Sequence, residues 1–94
     1  MTREDFIGLM PQGLKAIAID AVEELTAKCI FEGCEEIEDV ENTINDAIRR
    51  VDDEFNNKYY RMQDVVKAHY PEHNSKQLLE NFLTDVVCGT LNIQ

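Results

Sequence analysis

Tryptophan is absent from this chain, serine occurs once, at Ser75, and proline and glycine occur two and four times in 94 residues. Each scarcity excludes something. A lone serine at a helix-start position reads as a cap rather than a nucleophile. Four scattered glycines cannot make the Gly-rich loop that cradles phosphates. No apolar run approaches the roughly 18 residues a membrane span needs, and no strand alternation or Asn-Gly hairpin turn occurs. Bases are also scarce: nine Lys and Arg face nineteen Asp and Glu, a net charge of −10. Such a chain repels nucleic-acid phosphates and anionic membranes, so neither direct DNA or RNA binding nor membrane binding is expected. The first residues, MTREDFIGLM, carry acids where a signal peptide carries bases, which leads us to expect a cytoplasmic protein. Three cysteines without framework spacing fit reduced thiols.

What is present reads as helix throughout, in a single domain over residues 1–94. Thr2 with Asp5 three residues on is a capping-box start for a short helix from Arg3 to about Leu9. Pro11 suits the first turn of a second helix, where its missing N–H costs nothing. There Leu14, Ile17, Ala18, Ala21, Val22, Leu25 and Cys29 recur at helical spacing, with Ala16, Ile19 and Ile30 widening the apolar surface. This is expected to be the most buried helix, with Gly33 as its stop. After Pro71, Asn74 or Ser75 can cap a last helix that buries Leu79, Phe82, Leu83 and Val86, with Leu78, Val87 and Leu91 beside them.

Between these lies an apolar series, Ile37, Val40, Ile44, Ile48, Val51, Phe55, Tyr59, Met62, Val66 and Tyr70, spaced 3, 4, 4, 3, 4, 4, 3, 4 and 4. An eleven-residue repeat keeps to one face of a nearly straight helix. With no Pro or Gly from Cys34 to Tyr70, the pattern predicts one helix of roughly 35 residues, about 52 Å long, with Asn56-Asn57 as its weak point. The expected fold is therefore all-α: one short, two medium and one long helix. Each half of the long helix would be covered by a single neighbour, so a homodimer completing four-helix bundles is expected. A break in the long helix would instead favour a compact monomeric bundle.

Metal and catalytic constellations are weak. Cys29, Cys34, His69 and His73 supply two thiolates and two imidazoles, the donor set of a structural zinc site. On a continuous helix from Glu35 to Tyr70 the pairs would stand about 50 Å apart, so zinc is the remote alternative and no cofactor is expected. NTINDAIRRVDDE lacks the central glycine and alternating ligands of an EF-hand, and nothing selects a Cys–His nucleophilic pair, so the chain is expected not to be an enzyme.

The acids carry the more specific signal. From Glu32 to Glu54 there are ten acids against Arg49 and Arg50, which supplies −8 of the −10. On a continuous helix Glu35, Asp39, Asp46, Asp53 and Asp64 fall opposite the apolar stripe, flanked by Glu38, Glu41 and Asp52 on one side and by Glu36 and Glu54 on the other. The expected result is a negative rail running about 27 Å from Glu35 to Asp53. Acids near a helix N-terminus are stabilised by the macrodipole, which accounts for Glu35 to Asp39 but not for Asp46, Asp52, Asp53 or Glu54. Tyr59 and Tyr60 read either as core and core edge or as an anchor for a partner. In general style, small acidic helical chains of this kind resemble phage-encoded inhibitors of host nucleic-acid enzymes. The acidic rail itself suggests an inhibitor occupying a basic nucleic-acid-binding groove of a partner, with carboxylates in place of phosphates. The expectation is thus a non-enzymatic interaction module whose partner is another protein with a basic surface, contacted through Glu35, Glu38, Asp39, Glu41, Asp46, Asp52, Asp53, Glu54 and Asp64. The alternative is a homodimeric adaptor whose acidity serves solubility.

Overall fold

Thr2 begins the first helix as the sequence suggests: its hydroxyl accepts the Asp5 N–H at 3.1 Å, and the Asp5 carboxylate accepts the Thr2 N–H at 3.5 Å. The structure, a computed structural model, describes residues 1–49 and 53–94, and of residues 53–55 the backbone alone. Among these residues it is all-helical: α1 (Arg3–Leu9), a 3₁₀ turn (Gln12–Leu14), α2 (Lys15–Glu32), α3 (Ile37–Arg49), α4 (Asp53–His69) and α5 (Ser75–Leu91). Pro11 stands just before the 3₁₀ turn, not inside the next helix. None of these helices is long and apolar enough to cross a membrane.

The single long helix is replaced by two. α3 and α4 are separate helices of 13 and 17 residues that touch one another, and both rest on α2 and α5. A straight rod of about 52 Å could not fit a body whose largest dimension is 33 Å. The eleven-residue phase is satisfied helix by helix: Val40 and Ile44 from α3 and Tyr59, Met62 and Val66 from α4 all enter one core. Folding back lets both half-stripes share that core, which covers more apolar surface than two separate two-helix layers. Asn56-Asn57, the expected weak point, lies inside α4. Arg50, Val51 and Asp52 lie outside the described residues. The physical reason for expecting a second copy, half-covered helical layers, does not arise in this arrangement.

The centre of the fold is α5 rather than α2. α5 touches each of the other four α-helices and buries Leu79, Leu83, Thr84, Val86, Val87 and Cys88. Asn74 caps it by accepting the Gln77 N–H at 3.1 Å, while Ser75 accepts from the Gln63 amide of α4 at 3.1 Å. α2 buries the narrower stripe Ala18, Ala21, Val22, Leu25 and Cys29. Ala16 and Ile30, expected to widen that stripe, are exposed.

α2 ends at Gly33, whose φ of 70° and ψ of 36° are left-handed. The Gly33 N–H reaches the Ile30 carbonyl at 3.1 Å, and the Cys34 N–H reaches the Cys29 carbonyl at 3.0 Å. These two bonds form a Schellman motif, in which the residues at the Cys29 and Cys34 positions commonly make an apolar contact. The two cysteines of CIFEGC thus serve a helix end. A Cβ at Gly33 would meet nothing within 4 Å, so the cost of Gly33→Ala is conformational alone. It is expected to lower stability by about 1 kcal/mol, a fall in Tm of about 4–8 °C. Gly8→Ala, inside α1 and equally uncrowded, is expected to raise Tm in the same thermal melts.

Candidate partner-binding surface

The reversal at Gly33 lays α3 beside the C-terminal half of α2. Cys34 Sγ contacts Thr43 Oγ1 at 3.4 Å, which ties the connecting segment to α3. The Asp39 carboxylate accepts the backbone N–H groups of Glu35 and Glu36, each at 3.1 Å, satisfying donors at the start of α3. Asp39 is therefore part of a helix cap as well as part of the acidic face. With Val40, Ile44 and Ala47 turned into the core, Glu38, Asp39, Glu41 and Asp46 are left in water, as is Glu35 just before the helix.

Five of the nine sequence-predicted contact residues are thus exposed between Glu35 and Asp46, four of them on the stretch of α3 of about 12 Å from Glu38 to Asp46. Asp53 and Glu54 begin α4, and exposed Asp64 is carried further along it, so none of the three continues the α3 row on the same rod. Asp52 lies outside the described residues. The expected rail of about 27 Å is accordingly shortened. Among the described residues the one ion pair joins the Met1 α-amino group to Asp85 at 3.5 Å, and no base neutralises the α3 carboxylates.

Beside these acids an open groove of about 860 Å³ runs between α2 and α3. On the α2 side Glu24, Ala27, Lys28 and Phe31 line it, with Glu32 at the helix end; on the α3 side Asp39, Asn42, Thr43, Asp46 and Ala47 line it. Phe31 is 89% exposed, and Ile30 and Ile37, on either side of the connecting turn, are 65% and 43% exposed. Sequence reasoning missed the α2 wall, although a signal existed. Glu24, Ala27, Lys28 and Phe31 are spaced i, i+3, i+4, i+7, and so are Asp39, Asn42, Thr43 and Asp46. Each set is one helix face, distinct from the face that packs the core.

The two buried thiols, Cys29 and Cys88, and the buried phenol of Tyr59 are held away from ionisation. Burial, reinforced by neighbouring Cys34, pushes the Cys29 thiol up to about 12. Burial first, then Asp85 and Glu41, raises Cys88, and burial with Glu80 nearby raises Tyr59, whose hydroxyl is buried without a hydrogen-bond partner. Raised values disfavour the thiolate that nucleophilic chemistry uses. Tyr60, in edge contact with Tyr59 at 5.6 Å, is 60% exposed.

The zinc donors do not converge. Cys29 lies near the end of α2 and Cys34 just beyond it, whereas exposed His69 ends α4 and exposed His73 lies between α4 and α5, both beside Tyr70. Among the described residues no group of three or more His, Cys, Asp and Glu is placed to hold a metal. Compared with known proteins, the chain matches no family model, and no curated protein or solved structure matches it at a significant level.

Proposed function

We propose that this protein acts by binding rather than catalysis, engaging a partner protein that presents a basic surface through Glu35, Glu38, Asp39, Glu41 and Asp46. The observation that carries this reading is the row of exposed α3 carboxylates without a neutralising base among the described residues. Unneutralised acids on one helix repel each other, and a basic partner relieves that repulsion while gaining steering at long range. A nucleic-acid-binding groove is one such basic surface, and occupying it would make the protein an inhibitor. Its cytoplasmic location and viral-inhibitor style belong to this proposal.

The test is a retention experiment from the native host with wild-type protein and the E35Q/E38Q/E41Q/D46N variant. Asp39 is left intact because it caps α3. Exposed charge contacts contribute about 0.2–1 kcal/mol each, so four together predict weakening of roughly 4-fold to several hundredfold at physiological salt. Retention should also fall steeply toward about 0.5 M salt, where screening shortens the reach of surface charges. A partner held equally by the variant, or unaffected by salt, would sink the proposal. Competition by duplex DNA or by RNA separates occupation of a nucleic-acid site from binding to any other basic surface.

A further inference from the structure

The groove between α2 and α3 says more about the partner than its charge. We infer that it seats a basic amphipathic helix of the partner protein, with the helix's apolar stripe on Phe31 and Ala27 and its lysines or arginines against Glu24, Glu32, Asp39 and Asp46. This rests on the acidic-face reading and goes beyond it, naming the conformation and apolar content of the bound segment.

Three observations lead there. First, the groove walls carry four carboxylates and one ammonium, Lys28, so the complementary segment is cationic. Second, the same groove has an apolar element that a purely charged ligand would not use. Phe31 is 89% exposed on a face away from the core, and nothing in the fold needs a phenyl ring there. Third, both walls are helices whose backbone groups are paired internally, so the groove offers side chains only and no strand edge. A bound peptide must satisfy its own backbone donors and acceptors, which a helix does and an extended strand does not. The wall from Glu24 to Phe31 spans about 10 Å, two helical turns, the length over which an i, i+3, i+4, i+7 set of anchors repeats.

A second copy of this chain is the poorer occupant. It would bring the same four carboxylates and a net charge of −10 to a groove that is itself negative. Coulomb repulsion opposes that approach at physiological ionic strength.

The probes are three labelled synthetic peptides of equal positive charge. One is a leucine–lysine peptide with an amphipathic helical pattern, one has the same composition with the apolar stripe scrambled, and one is oligolysine. Binding is read by fluorescence anisotropy and peptide helicity by circular dichroism. The patterned peptide is expected to bind roughly tenfold or more tighter than the other two and to gain helicity on binding. Phe31→Ser should cost it roughly tenfold while leaving oligolysine binding unchanged. Because Phe31 lies outside the core, an unchanged thermal melt of the variant confirms that folding is intact. Equal binding by all three peptides with no effect of Phe31→Ser would overturn the groove inference and leave the acidic-face proposal standing. Absence of binding by every basic peptide would overturn both. Sedimentation showing micromolar self-association that Phe31→Ser abolishes would assign the groove to a second copy and overturn the inference.

Discussion

Leu83→Ala is expected to remove about 2–5 kcal/mol of stability. Leu83 is fully buried on α5, the helix against which α1, α2, α3 and α4 all pack. Truncation there loses the transfer free energy of the missing carbons and leaves a void that the surrounding core can close only by moving away from contacts it already makes. A chain of this length has about 5–14 kcal/mol in total, so the variant would be marginal at room temperature. Urea titration should show the midpoint falling by about 1–3 M with an unchanged slope, the sign that stability rather than the compactness of either state has altered. The same truncation at half-buried Leu78 or Leu91 should cost clearly less. A loss under about 1 kcal/mol at Leu83 would mean that α5 is not the centre of the core.

The second large effect is alkaline. Cys29 is raised from its ordinary 9.0 to about 12, mainly by burial, and Cys88 and Tyr59 are raised in the same direction. At pH values between the ordinary and the raised pKa, the unfolded chain has released a proton that the folded chain still holds. Unfolding then gains the free energy of that ionisation. The stability contributed by these groups is therefore complete below about pH 9 and is lost as pH rises toward about 12 for Cys29. Each group adds a slope of up to about 1.4 kcal/mol per pH unit within its own window. Urea midpoints should be flat from neutrality to about pH 9 and then fall. Tyr59→Phe removes one contributor together with a buried hydroxyl that has no hydrogen-bond partner. It should be at least as stable as wild type at neutral pH and lose stability less steeply in base. An alkaline limb of unchanged slope in Tyr59→Phe would show that the phenol ionises freely in the folded protein.

Local chemistry was the legible part of the sequence. The Thr2–Asp5 box, the Gly33 stop, the Asn74 cap and the α5 core residues depend on neighbours within a few positions, and the structure keeps them. The division of the acidic segment into α3 and α4 was not legible. No Pro or Gly marks it, and the apolar phase runs on through both helices. Periodicity reports which face is buried, not whether successive turns belong to one rod. The decision comes from the shared core, where Ile44 and Met62 meet the same cluster although a straight helix would hold them apart. The prominence of α5 over α2 was hidden for a similar reason, since centrality depends on where four other helices settle.

The candidate surface divides the same way. Exposure of Glu35, Glu38, Asp39, Glu41 and Asp46 follows from the wheel position of each residue opposite or beside Val40 and Ile44. The groove does not, because it needs the Glu24–Phe31 face of one helix to lie beside the Asp39–Asp46 face of the next. That pairing is created by the reversal at Gly33 and is invisible to any single helical wheel.

The reversal at Gly33 has a further consequence for how the surface can vary. Both walls of the groove fall within residues 24–47, about a quarter of the chain, and only the segment from Gly33 to Glu36 joins them. The short connection keeps the closure entropy small and couples the spacing of the walls to one glycine. The outward positions of the two helices can change without disturbing Leu25, Val40 or Ile44 beneath them. On the proposed reading, recognition would draw on the outward positions of this hairpin while its inward positions belong to the common core, so the division between the two tasks runs between the faces of α2 and α3 rather than between segments of the chain.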